Sequence, residues 1–251
     1  MMAETAAMFS GERYKVKLHS YVYLNNDSKK WVILCHANML NGKIMSRKIG
    51  SFYYEWGYNV LAIDSRGFGK SKGSVAVGFL EALDLYDWII YLNKEYKPEE
   101  IILHGCSLGG ATVNFISGID GFMKNGTHSK DLISLKDLGV KGLVEDSGYI
   151  KIGDFKSDNK KLYKRCGLFS EEDFEYYGNA LNSLKYCDIP MMVIHGDRDT
   201  MVTPDNAEKI YETLKGKKDI WMVRDQWHIF ILLDKEKDAY KAHLKNFIDS
   251  I

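Results

Sequence analysis

Six short apolar runs recur along this chain, separated by stretches with helical periodicity, and they constrain the fold more than any other feature. They are "WVILC" (31–35), "NVLAI" (59–63), "IILHG" (101–105), "VKGLVE" (140–145), "MMVIHG" (191–196) and "IWMV" (220–223). Several lack polar–apolar alternation, as strands covered on both faces do. Strands alternating with helical patterns predict a mostly parallel sheet with helices on both sides. Upstream, "RYKVKL" and "SYVYL" read as an opening antiparallel pair, which brings the expected sheet to about eight strands.

Between the strands, residues 77–96 place Phe79, Leu80, Leu83, Tyr86, Ile89, Ile90 and Leu92 close to a 3.6-residue stripe. The last segment sets Tyr240, Leu244, Phe247, Ile248 and Ile251 on one face, as a helix docking on the sheet would. A chain of 251 residues can enclose one large core, so a single domain over 1–251 is expected. From 149 to 188 the chain turns charged and aromatic, too long for an ordinary connection. A small helical cap over the carboxyl edge of the sheet, where open α/β sheets bind ligands, is the expectation there.

Composition excludes several classes of function. Lys+Arg and Asp+Glu balance at 34 each, which gives no basic footprint for nucleic acid. No apolar run reaches the roughly 20 residues of a membrane span, and the first residues lack the pattern of a signal peptide. Cys35, Cys106, Cys166 and Cys187 have no metal-like spacing and fit buried thiols in a reducing, cytoplasmic setting. The N-x-[ST] matches at Asn26 and Asn125 are read as chance.

The chemistry concentrates at turns. Gly105-Cys106-Ser107-Leu108-Gly109 is a G-x-S-x-G between a strand and a helix. That context lifts one serine above a sheet and aims free helix N–H groups at a developing anion. The backbone N–H of Leu108, directly after the serine, is the first oxyanion donor expected. A serine needs a base, and the base needs an orienting acid, both at later strand ends. "IHGDRDTMVTP" offers Asp197 and Asp199, and "QWHIF" offers His228. Asp146, in "EDSGY", is a further acid candidate or a cap for the insertion.

Four stretches, "LCHANMLNG", "DSRGFGKSKG", "GCSLGGAT" and "HGDRDTMVTP", resemble the α/β-hydrolase superfamily over nearly the whole chain. The branch most resembled is the serine aminopeptidase-like, or Bem46-like, hydrolases. The resemblance implies Ser107 as nucleophile, Asp199 as acid at the fifth motif position from His195, and His228 as base. It implies Asn38 as second oxyanion donor, after His36-Ala37. Three departures stand out: Ala37 where the family has glycine, Thr203 before Pro204 where valine is usual, and Trp227 before the histidine. An alanine forced to positive φ would cost about 1–2 kcal/mol.

Rival signals fail on spacing or setting. Gly69-Lys70-Ser71 ends like a phosphate loop, but Asp64 holds the place of the first glycine. Arg66 is expected to anchor the neighbouring loops. His36, His104 and His195 lack acidic or cysteine partners at ligand spacing, so neither a metal nor another cofactor is implied. His243 stands on a polar helix flank, and Cys106 occupies the variable elbow position.

The resulting expectation is a serine esterase acting on a small acyl or aryl ester through an acyl-enzyme, without a cofactor. Its partner is a small-molecule substrate. Tyr149, Phe155, Tyr163, Phe169, Phe174, Tyr176 and Tyr177 either shape its pocket or pack within the cap. Two alternatives are an aminopeptidase, with Glu171, Glu172, Asp173 and Glu175 receiving the substrate amine, and a catalytically silent binding protein.

Overall fold

A computed structural model describes residues 5–11, 16–126, 129–151 and 170–251. Eight strands form one sheet: β1 (Thr5–Gly11), β2 (Val16–Tyr23), β3 (Lys30–Cys35), β4 (Asn59–Asp64), β5 (Glu100–Cys106), β6 (Val140–Asp146), β7 (Met191–Gly196) and β8 (Lys218–Val223). Their spatial order is β1-β2-β4-β3-β5-β6-β7-β8. From β4 across to β8 every pairing is parallel, while β2 runs antiparallel to β4.

The opening pair expected at 13–18 and 20–24 is corrected. Those runs do not form a hairpin; the described residues from Val16 to Tyr23 make one continuous strand. No turn residue interrupts "VKLHSYVY", and Leu18 and Val22 bury into one core while Tyr21 and Tyr23 bury into the other. The body of the sheet is therefore seven strands, β2 to β8, with β1 joining antiparallel along the free edge of β2.

Helices cover both faces, as apolar strands require. On one side, α1 (42–55, through a π-type turn at Ser46–Gly50) and α8 (Lys237–Asp249) enclose Val32, Leu34, Val60, Ile102, Val144 and Ile194. On the other, α2 (Phe79–Tyr96), α3 (Leu108–Ile116), α4 (Ile119–Lys124) and α7 (Asp205–Thr213) cover Ile33, Leu61, Leu103, Leu143 and Val193. The expected stripes are buried, apart from Ile90 on α2 and Ile251 beyond α8, which are exposed. Among the described residues, no helix is long and apolar enough to cross a membrane.

Between β6 and β7, the described part of the expected cap is 149–151 and 170–188, with the short helices α5 (Glu171–Tyr177) and α6 (Leu181–Leu184). Phe155, Tyr163, Cys166 and Phe169 lie outside the described residues. Tyr177 is buried against Phe79 and Phe122, and Tyr176 stacks on Phe122 at 5.1 Å. Phe174 also packs against this core. These three aromatics join α5 to α4 and α2 by ordinary core packing.

Candidate active site

The turn after β5 is possible because its neighbours have no side chains. A Cβ at Gly105 would lie 2.0 Å from the Gly109 carbonyl oxygen, and one at Gly109 would lie 2.1 Å from that of Cys35. The backbone folds back on itself there, and Ser107 takes φ 53°, ψ −110°, a conformation that L-residues rarely hold. Its N–H donates to the Asp146 carbonyl on the neighbouring strand end at 2.8 Å, which fixes the elbow to β6.

Three side chains from three strand ends meet at this serine. His228 Nε2 lies 2.8 Å from Ser107 Oγ, and His228 Nδ1 lies 2.6 Å from Asp199 Oδ2. An ionised carboxylate only accepts, so Nδ1 carries the proton and the lone pair of Nε2 faces the serine hydroxyl. Burial works to raise the Asp199 carboxyl. Hydrogen bonds from His195, His228 and the Val202 N–H more than offset this and hold it well below the usual carboxylate range. Asp199 Oδ1 accepts from the N–H groups of Met201 and Val202, both at 2.9 Å, so its orientation is fixed by its own loop.

That loop also explains the departure at Thr203. The valine facing inward is Val202, which is buried; Thr203 is exposed and its hydroxyl bonds Asp205. Asp197 is a turn residue whose Oδ1 accepts from the Asp225 N–H at 2.7 Å. Asp146 does not reach His228 with its side chain. Its carboxylate accepts from Ser147 Oγ at 2.8 Å and Tyr240 Oη at 3.0 Å, and burial raises its pKa against those two bonds.

The serine opens on a cavity of about 240 Å³ lined by Asn38, Val75, Val77, Ser107, Leu108, Tyr149 and Met201. Leu108 opens α3, so its N–H is one of the first-turn donors that no helical carbonyl reaches. Asn38 faces the same cavity from the loop after β3. The strain expected at Ala37 is absent, because the left-handed residue of that loop is Met39, at φ 61°. Ala37 is simply buried among core side chains.

Loop 65–78 carries Val75 and Val77 to the cavity and is pinned from below. Arg66 makes a two-pronged bond to Asp84, with Nε and a terminal nitrogen donating at 2.7 and 2.6 Å, both partners buried. Glu81 accepts from the N–H groups of Ala76 and Gly78, and burial pushes its carboxyl up to about 7. Nothing in the sequence marks Val75, Val77 or Met201 as cavity residues, because no local pattern encodes which loop faces a serine.

The remaining candidates have other partners. His36 Nε2 accepts from the Ser65 N–H at 2.9 Å, and its Nδ1–H donates to the Ala37 carbonyl. His104 bonds Tyr53 and Tyr240, and burial lowers its pKa to about 3. His243 stacks on Trp221, 4.2 Å between centroids. Trp227 is exposed and does not line the cavity. Cys106 is buried with its thiol pushed well above the ordinary range by desolvation. Among the described residues, no cluster of His, Cys, Asp and Glu has the arrangement to hold a metal.

A family model for the alpha/beta hydrolase fold matches residues 30–118, the segment from β3 to the end of α3. The uncharacterized protein YfhR of Escherichia coli (strain K12) is 26% identical over 202 residues, 79% of this chain and 63% of that protein. This chain thus spans less than two thirds of the length of YfhR. YqkD of Bacillus subtilis, also uncharacterized, is 22% identical over 255 residues, 99% of this chain and 80% of that protein. Among solved structures, the Pyrococcus furiosus esterase Pf2001 is similar with a TM-score of 0.73 and 24% identity, covering 99% of this chain and 93% of that one. Sheet order, elbow, family match and structural likeness agree that the chain has the α/β-hydrolase fold.

Proposed function

We propose that this protein is a serine hydrolase that cleaves carboxylic esters of small acyl groups. The observation that carries the reading is the unbroken line Asp199–His228–Ser107, at 2.6 and 2.8 Å, ending on a serine that faces an apolar cavity. Ser107 Oγ attacks the acyl carbonyl while His228 Nε2 takes its proton. Asp199 keeps the imidazole in the tautomer that can accept it and balances the imidazolium that forms. The N–H groups of Leu108 and Asn38 receive the oxyanion, a contribution of about 3–4 kcal/mol per donor in comparable sites. His228 then protonates the departing alcohol, activates water against the acyl-enzyme and returns Ser107 to its resting state.

An ester is favoured over a peptide by the walls of the cavity. Val75, Val77, Leu108, Tyr149 and Met201 dominate it, and among the described residues no carboxylate lines it. The acidic stretch proposed for a substrate amine lies on α5, where Asp173 N–H is capped by Ser170 Oγ and Tyr176 packs on α4. At about 240 Å³ the cavity is below the usual 300–1,000 Å³ of sites for drug-sized ligands, which supports short acyl groups.

The test is labelling by a fluorophosphonate, read by intact mass for wild type and Ser107→Ala. A single adduct on wild type alone is expected, followed by faster turnover of p-nitrophenyl acetate and butyrate than of the palmitate ester or of aminoacyl p-nitroanilides. A folded wild type that takes no label overturns the reading in favour of a silent binding protein.

A further inference from the structure

The end of β6 touches both halves of the Ser107–His228 pair. The Asp146 carbonyl accepts from the Ser107 N–H at 2.8 Å, and the Ser147 hydroxyl accepts from the Ile229 N–H, the residue after His228, at 3.3 Å. Three of the four residues at these junctions hold positive φ: Ser107 at 53°, Ser147 at 57° and Ile229 at 46°. A β-branched residue such as Ile229 is especially unfavourable there, so its conformation persists only where the surroundings enforce it.

The dipeptide is itself held from behind. Ser147 Oγ donates to Asp146 Oδ1 at 2.8 Å, and Tyr240 Oη, from α8, donates to Asp146 Oδ2 at 3.0 Å. Tyr240 Oη then accepts from His104 Nε2 at 3.1 Å, and His104 Nδ1 accepts from Tyr53 Oη of α1 at 3.0 Å. The donors and acceptors of this buried line are mutually consistent for a neutral His104. The Ser147 N–H is also used, donating to the Ile194 carbonyl of β7 at 2.9 Å.

We propose that Asp146 and Ser147 are positioning residues that set the separation of Ser107 and His228, by bonding the elbow through one residue and the histidine loop through the next. The proposal rests on the serine-hydrolase reading for its effect on rate, but its geometric content stands apart. It gives Asp146 a role other than that of a displaced catalytic acid, since its side chain touches neither the imidazole nor the substrate cavity. Truncating the Ser147 hydroxyl leaves the Ile229 N–H without its acceptor and lets His228 drift from the line to Ser107, an error that costs rate rather than substrate affinity.

Ser147→Gly is the informative variant, because glycine accepts φ 57° without strain. Relief of the left-handed backbone offsets part of the two lost hydrogen bonds, so its thermal midpoint is expected to stay close to that of wild type. Its kcat on p-nitrophenyl acetate is expected to fall about tenfold with KM changed by less than about twofold, and fluorophosphonate labelling to slow in step. The proton between His228 Nδ1 and Asp199, a low-field resonance in proton NMR, is expected to shift or broaden. Tyr240→Phe, which deletes only the hydroxyl that Asp146 accepts from, should move the same signal by less. A wild-type rate together with an unmoved resonance in Ser147→Gly overturns the proposal. A moved resonance in a protein whose wild type takes no fluorophosphonate upholds the positioning role and overturns the hydrolase reading instead.

Discussion

His195 Nε2 lies 3.3 Å from the same Asp199 Oδ2 that accepts from His228, so one carboxylate oxygen faces two imidazoles. The His195 Nε2–H is shared between the Val202 carbonyl, 2.9 Å away, and Asp199 Oδ2 at 3.3 Å, a longer bond than the 2.6 Å one from His228. The two contacts are therefore unequal. Asp199→Asn reverses the hydrogen-bond sense at His228 and is expected to lower kcat by roughly 10³- to 10⁴-fold, as tautomer loss does in comparable triads. His195→Gln keeps a donor for Val202 and should cost no more than about tenfold. Steady-state kinetics on p-nitrophenyl acetate check both. Equal losses would show that His195, and not only His228, controls the state of Asp199.

Strain at the elbow predicts a trade between stability and activity. Ser107 holds φ 53°, ψ −110° between two glycines that cannot be enlarged. Ser107→Gly should stabilise the fold by about 1 kcal/mol, since strained non-glycine residues cost about 1–3 kcal/mol and glycine returns part of that as chain entropy. Urea unfolding of Ser107→Gly and Ser107→Ala separates relief of strain from loss of the hydroxyl. Equal stability of the two variants would mean that the elbow stores no strain.

Arg66 and Asp84 do not line the cavity, yet the loop they tie carries Val75 and Val77 to it. Arg66→Met leaves a buried carboxylate without its partner and is expected to destabilise by about 3–5 kcal/mol. The double variant Arg66→Met/Asp84→Leu should recover much of that loss. Denaturant midpoints of the two single variants and the double close the cycle, and additivity would show that the pair is not coupled.

How much of this was legible in the sequence depended on whether the signal was local. The strands β3 to β8 and the helices α2 and α8 announce themselves through apolar runs and 3.6-residue stripes. Ser107, Asp199 and His228 follow from motif and order, although only the folded chain brings them within bonding distance. The hairpin at 13–24 failed because "VKLHSYVY" has no turn chemistry and its real partner, Thr5–Gly11, carries no strand-like alternation. Ala37 looked strained only by analogy with a glycine; the chain places its left-handed residue two positions later, at Met39. The roles of Ser147 and Tyr240 were not readable, since each depends on a contact spanning more than 80 residues.

Three buried carboxyls make stability depend on pH in a definite direction. Burial raises Glu145 to about 8 and Glu81 to about 7, and raises Asp146 as well. Each holds its proton in the folded chain over a range where the unfolded chain, with ordinary values near about 4, has released it. Folding then binds protons, so stability falls as pH rises between about 5 and about 8. His195 acts in the same sense: burial opposes its charge, but its bonds to Asp199 and to the Val202 carbonyl raise its pKa overall, so its contribution is complete below about 6.5 and is lost as pH rises through its folded value. Asp199, held low, works in the opposite sense only at acid pH, where its contribution is lost as pH falls through its folded value. Urea unfolding at about pH 5.5 and about pH 8.5 is therefore expected to give the higher midpoint at the lower pH. Glu145→Gln, which replaces the titrating oxygen by an amide of the same shape, should flatten that difference. A wild-type midpoint that rises toward the alkaline end, or a Glu145→Gln variant that keeps the full slope, would place the proton uptake on other groups and remove Glu145 from the account.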